Sequence, residues 1–286
     1  MAMTENVMAC IDGSSAAPVV CDYAAWASLR LDAPLVFLHV LDKSEYPVKR
    51  NLSGSIGLGS REALLQELAE LDEKRGKLAM EQGKLILEAA QQRAVSNSIG
   101  FSNTLQRHGG LVDTLAELEE SIRLLVIGKQ GEEGDTLGEH IGSHLENVVR
   151  TLHRPILVTT STFKIPQRIM LAFDGSATSI KGVKMVAASP LFKGLPCHLV
   201  MVGAESSENI HQLEWAKQTL ESAGFDAAVS IHDGEVETVL SDYRKQHDID
   251  LLIMGAYGHS RIRRFLVGST TANVIRNTTV PLLLLR

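Results

Sequence analysis

The chain has 286 residues, a formal net charge of −6 at neutral pH, 44% hydrophobic residues and 22% charged ones. That length suits two domains of ordinary size, and that composition suits globular folding around real cores. The acidic balance offers no general attraction to nucleic acid or to an anionic membrane, and no apolar run is long enough to span a bilayer, so neither is expected as a partner.

The N-terminal segment, Met1 to Asn6, has no signal-peptide pattern and leads straight into an apolar strand, Val7 to Ile11, closed by Asp12-Gly-Ser14. A second apolar strand runs from Pro34 to Val40. Next comes an insert, 43–93. Its glycine- and serine-rich stretch Asn51 to Ser60 reads as a loop, and Arg61 to Arg93 reads as one long helix. Leu64, Leu68, Leu71, Leu78 and Leu85 form a stripe on that helix near heptad spacing. The stripe fits a helix lying over a sheet or a helix that binds a partner. A strand, Leu124 to Gly128, then opens a loop that reaches Gly142-Ser143, and the half closes with a strand around Pro155 to Thr159.

The chain then repeats itself. Val7 to Ser14 matches Ile169 to Ser176, and Pro34 to Val40 falls on Pro196 to Val202 at the same offset of 162 positions. Leu124 to Gly128 falls on Leu251 to Gly255, Asn147 to Arg150 on Asn273 to Arg276, and Pro155 to Val158 on Pro281 to Leu284. Two domains are expected, 1–162 and 163–286, divided by the short polar stretch Ser161 to Gln167. In the second, strands are expected at 168–173, 197–202, 227–231, 250–254 and 280–285, with helices at 177–188, 208–223, 235–246 and 269–277. The strands are continuous apolar runs, as parallel strands covered on both faces require. Alternation with helices implies α/β folding: two doubly wound five-stranded parallel sheets with the ligand site beyond the carboxyl ends of the strands.

The most informative segment follows the strand 250–254. Gly255-x2-Gly258-x9-Gly268-Ser269-Thr270 joins a strand to a helix start, and Arg261, Arg263 and Arg264 lie within it. Glycines let backbone N–H groups converge on one point, and a helix start adds unpaired N–H groups and partial positive charge. Phosphate fits that arrangement, although an ordinary strand-to-helix turn also contains glycines.

With Asp174 closing the first strand of the same half, this spacing resembles the ATP-binding universal stress proteins, and the repeat makes the chain look like a tandem member. The resemblance covers nearly all of both halves. It implies the adenine nucleotide α-hydrolase-like fold, with ATP, accompanied by Mg, as the cofactor. By position it places Asp174 toward the adenine and ribose, Val202 as a backbone partner of adenine, and Met254 and Gly255 beside the ribose and phosphates. Gly258, Gly268, Ser269 and Thr270 would hold the phosphates. An Asp at that place also serves as a turn residue that bonds its own backbone. Family members pair their last strands antiparallel, which implies that Pro155–Thr159 and Pro281–Arg286 meet within this chain.

The weaker counterparts in the first half are Asp12, Val40, Gly128, Gly131, Gly142 and Ser143. Ten residues, not nine, separate Gly131 from Gly142, and Glu132, Glu133, Asp135 and Glu139 replace cations. Acidic groups repel a polyphosphate. Glu139-His140-Ile-Gly-Ser-His144 is similar to a nucleotidyltransferase signature but follows the wrong strand. No paired carboxylates, metal-ligand spacing or nucleophile–base set accompanies either loop, so no catalytic residue is assigned; slow ATP hydrolysis would need no dedicated base. His259 reads as a solvated loop residue or a phosphate contact. Cys10, Cys21 and Cys197 form no disulfide framework, and Cys10 and Cys197 read as small core residues. A cytoplasmic location, a homodimer supported by the long helix and an unidentified protein partner complete the expectations. Two functions stay open: an ATP-binding stress sensor, or an interaction module with vestigial sites or a pocket for another small ligand.

Overall fold

The computed structural model describes residues 5–41, 58–129, 143–256 and 269–286, with side chains from 66, 145 and 271 onward in the last three segments. Ten strands form one sheet. In chain order they are β1 (Asn6–Cys10), β2 (Leu35–Leu41), β3 (Ser102–His108), β4 (Ile122–Gly128), β5 (Ile156–Thr159), β6 (Ile169–Phe173), β7 (Cys197–Val202), β8 (Ala227–His232), β9 (Leu251–Gly255) and β10 (Leu282–Leu285). The helices are α1 (Ala17–Leu31), α2 (Leu58–Ser96), α3 (Leu111–Leu118), α4 (Ser143–Thr151), α5 (Ala177–Ala188), α6 (Ser207–Ser222), α7 (Val236–Gln246) and α8 (Ser269–Asn277).

The spatial order is β3-β2-β1-β4-β5-β10-β9-β6-β7-β8. Each half therefore winds outward from its first strand, returns past it, and winds the other way. Within each half every neighbouring pair is parallel. The two five-stranded sheets pair through their last strands, β5 and β10 antiparallel with Leu157 opposite Leu283, and so run on as one sheet. Those strands are apolar on both sides: Leu157 and Leu283 face one layer of helices, and Ile156, Val158, Leu282 and Leu284 face the other. Left unpaired, they would present an apolar edge, so the join removes a liability as well as burying leucines worth about 2 kcal/mol each.

One layer contains α1, α2, α5 and α6, packed through residues such as Tyr23, Leu87, Val183 and Leu213. The other contains α3, α4, α7 and α8, packed through Leu115, Val148, Leu240 and Ile275. The stretch between the halves is tied down. Asp250 accepts from the amides of Gln167 at 3.0 Å and Arg168 at 3.2 Å and pairs with Lys164, while Tyr23 donates to the Lys164 carbonyl at 3.2 Å.

Two cations cross the join. Lys129, immediately after β4, donates to the carbonyls of Arg276 and Thr278, the latter at 3.2 Å, at the end of α8. Arg286, after β10, donates to the carbonyls of Val149 and Arg150 at the end of α4, each at 3.2 Å through one nitrogen. Each final helix has its negative end met by a cation from the other half.

The inserted helix, expected at 61–93, spans Leu58–Ser96, and only its C-terminal part lies on the body of the protein. Leu87, Ala90 and Ala94 are buried there, and Arg93 forms a two-pronged pair with Asp22 of α1 at 2.7 Å. Gly83 marks where contact begins. A Cβ at that position would come within 2.4 Å of Gln106 Nε2 and 2.6 Å of His39 Cδ2, so a larger residue would force those side chains or the helix to shift. The leucine stripe does not cover the sheet: Leu71, Leu78 and Leu85 are exposed.

Candidate functional site

In the second half β6 and β9 are neighbours, although β7 and β8 lie between them in the chain. Crossovers leave in opposite directions from this pair, so no helix closes the carboxyl ends, and a crevice results. An open cleft of ≈ 230 Å³ occupies the place, with Asp174, Ser179, Val202, Leu240, Gly255 and Thr271 in its wall. Three different strand ends thus contribute: β6 through Asp174, β7 through Val202 and β9 through Met254 and Gly255.

Local chemistry shapes the β6 end. Asp174 Oδ1 accepts the amide of Ser176 at 3.0 Å, closing a turn. Ser176 then caps α5, its hydroxyl accepting the amide of Ser179 at 3.2 Å. Gly175 sits between them at φ +71°. A Cβ there would lie 1.8 Å from Gln212 Oε1, which folds over the turn from α6. The positive φ favours glycine, and a Cβ would also push the Gln212 side chain aside. At Asp174 desolvation works to raise the pKa, but hydrogen bonds from Ser176 and Ser179 hold the carboxyl below its ordinary value. The result is an exposed, ionised carboxylate at the lip of the cleft. The turn expected of an Asp at this place is formed, and the same residue also lines the cleft.

Elsewhere the cleft is less polar. Phe173, Val200, Val236 and Met254 supply flat apolar wall. Just beyond Val202, the amide of Gly203 is already used, donating to His232 O at 2.8 Å. Thr271 brings a buried hydroxyl from the first turn of α8, and Thr178 lies at the start of α5. Ser269 and Thr270 begin α8 as expected from the sequence. Gly258 and Gly268, with His259 and the three arginines between them, lie outside the described residues.

Sequence reasoning missed several wall residues: Thr178, Ser179, Val236, Leu240 and Thr271, and Gln212 above the turn. A signal existed for two of them. Ser176-x-x-Ser179 has the spacing of a helix cap, and Thr271 directly follows Ser269-Thr270. Val236 and Leu240 arrive from α7 with no motif near the loop.

The first half repeats the frame with different contacts. Asp12 Oδ1 accepts from the Ser14 amide at 3.1 Å and from its hydroxyl. Val40 is the last residue but one of β2, Gly128 ends β4, and Ser143 begins α4. His39, buried beside Val40, bonds Ile11 O through Nδ1 at 2.9 Å and lies against α2. Gly131, Gly142, the acidic residues between them and His140 lie outside the described residues. Lys129, the cation nearest Gly128, is committed to the end of α8, and its partial burial lowers its pKa.

Cys21 and Cys197 are buried and Cys10 half-buried, and burial pushes all three thiols up to about 12. They stay protonated at neutral pH and behave as core residues, not nucleophiles. Among the described residues no group of three or more His, Cys, Asp or Glu is placed to hold a metal ion, and no helix is long and apolar enough to cross a membrane.

The universal stress protein family matches this sequence twice, over residues 3–160 and again over 166–286. The chain belongs to the universal stress protein family. Universal stress protein Slr1230 of Synechocystis is 37% identical over 286 residues, covering 99% of this chain and 100% of that protein. Universal stress protein MJ0577 of Methanocaldococcus jannaschii is 28% identical over 81 residues, 28% of this chain and 50% of its own. A solved universal stress protein from Archaeoglobus fulgidus superposes with a TM-score of 0.73 over 98% of both chains at 17% identity, which shows the fold. As a universal stress protein the chain is of the tandem kind, with both family matches joined in one sheet.

Proposed function

We propose that this protein binds ATP, accompanied by Mg, in its second half and acts as a cytoplasmic sensor or regulator of the stress response, with no substrate turned over. The reading treats 1–162 and 163–286 as two domains and assigns the nucleotide to the second. One observation carries it: Asp174, Val202, Met254 and Gly255, the positions the family resemblance implies, line one cleft at the β6–β9 crevice, beside the start of α8. Apolar wall from Val236, Leu240 and Met254 suits a flat base. The carboxylate of Asp174 suits ribose or adenine donors. The α8 N-terminus, with Gly268, Ser269 and Thr270, suits phosphate.

Calorimetric titration with Mg-ATP, with Gly268→Val alongside, tests the proposal. The expected result is saturable binding that the variant loses by tenfold or more. No binding by the unmodified protein, or equal binding by both, ends it.

A second reading applies to the first half alone. There the acidic loop sequence and the engagement of Lys129 with α8 favour a site that no longer takes nucleotide, leaving Asp12, Val40, Gly128, Gly131, Gly142 and Ser143 as scaffold. Native mass spectrometry separates the cases: one retained nucleotide per chain fits this assignment, and two contradict it.

A further inference from the structure

The long helix α2 reaches beyond the body of the protein. Residues 66–82 are exposed almost throughout, a segment of roughly 25 Å at helical rise. A lone helix of that length is marginal in water, and Gly76 near its middle weakens it further. Most of its residues are charged or polar, but one stripe of it is not. Leu71, Leu78 and Leu85 recur every seven positions and are 45%, 69% and 61% exposed.

Placing these leucines, with Leu64 before them in the sequence, at heptad position d makes Leu68, Arg75, Gln82 and Ala89 the a positions. The side that α2 packs on its own domain holds Gly83, Leu87, Ala90 and Ala94, at positions b and f. The a/d seam therefore points away from the domain. Leucine at every d, with a polar residue at two a positions, is the pattern of a helix pair whose register is fixed at some cost in stability.

Charge chooses the occupant and its direction. The g positions are Glu67, Lys74, Glu81 and Glu88, and Asp72 stands at e. A parallel copy would set Glu67 against Asp72 of its partner and leave Lys74 facing Ala79. An antiparallel copy sets g against g. Centred near Gly76, it brings Lys74 of each chain to Glu81 of the other, twice by symmetry, and overlaps residues 68–85, most of it the stretch before Gly83 that its own domain leaves bare, with Glu67 and Glu88 opposed only beyond the ends of that overlap. The ion pair Glu73–Lys77 on the same helix uses neither residue.

We propose that two copies of this chain dimerise through α2, paired antiparallel along the Leu71–Leu78–Leu85 seam with Lys74 facing Glu81 of the partner subunit. The inference does not depend on nucleotide binding. Its interface is isologous, as a twofold requires, and lies apart from the β5–β10 join.

Sedimentation equilibrium of the full chain tests it. The expected species has twice the 31.1 kDa chain mass. Replacing both Leu71 and Leu78 by Glu weakens self-association at least tenfold while circular dichroism and thermal unfolding of the domains stay unchanged, since both side chains are exposed. Lys74→Glu weakens it too, and adding Glu81→Lys to that variant restores it. A monomer at concentrations up to ~100 μM overturns the proposal, that being a marginal affinity for a specific contact. So does a dimer indifferent to the leucine changes, or a double charge swap that fails to restore what Lys74→Glu removes.

Discussion

The positions just after β4 and β9 are equivalent by the repeat, yet they do different things. After Gly255 comes Ala256, small and buried, its amide donating to Leu285 O at 2.8 Å. After Gly128 comes Lys129, whose ammonium reaches across the join to the end of α8. The same strand end thus lines a cleft in one half and braces the neighbouring half in the other. A second contrast lies one strand away. His39 is closed over by the inserted helix at Gly83, whereas its counterpart Met201 lies among the core residues beneath α5 and α6. The frame is shared, and each half sends a cation to the other's final helix; the second half lines the β6–β9 cleft, and the first carries the insert.

The contrast can be broken most forcefully where the halves are alike. Leu157 and Leu283 face each other at the centre of the sheet and are buried. Replacing either by Ala should cost about 2–5 kcal/mol and lower the midpoint of thermal unfolding by several degrees, by the same amount from either side. Differential scanning calorimetry should show one transition; two separate transitions would mean that the halves are independent units after all. Next in size is the ligand effect. Asp174→Ala should weaken Mg-ATP binding by about tenfold, near 1.4 kcal/mol, while Asp12→Ala should change it less than twofold. Equal losses would erase the proposed asymmetry. Smaller again, Lys129→Met and Arg286→Met each remove a cation from a helix end and should cost about 1 kcal/mol in urea unfolding.

The smallest effect is in pH. The folded pKa of Asp174 lies below its unfolded value, so its contribution is present above pH ~4 and is lost as pH falls through the lower folded value. Asp174→Asn should flatten the acid limb of stability slightly, and because the carboxylate is exposed the change should stay near the error of measurement.

Much of the fold was legible because it was written twice. Strands buried on both faces appear as unbroken apolar runs, and the repeat fixed their counterparts, so the second-half elements fall within about two residues of expectation, from Ile169–Phe173 to Leu282–Leu285. The sheet join was legible from two apolar final strands that needed cover. The cleft was legible only where loop chemistry marks it: Asp174 and Gly255 stand in motifs, whereas Leu240 and Gln212 enter from helices whose own sequences obey packing alone. Lys129 was illegible for a different reason. Its partners, Arg276 and Thr278, are close only after both halves have joined, and no local pattern encodes a bond across such a distance in sequence. The leucines of α2 showed periodicity without direction; which side of the helix they occupy depended on where Gly83 seats it.

The antiparallel pair at the centre of the sheet also has a consequence for concentration. Two separate copies of a single domain could form the same contact only by mass action, and dilution would part them. Here Thr160 to Arg168 spans from β5 to β6, pinned by Asp250, and the two apolar strands meet at an effective concentration set by a short tether. The second-half cleft therefore has its bracing cation at any abundance of the protein, and whatever still varies with abundance in the cell must come from contacts outside that sheet.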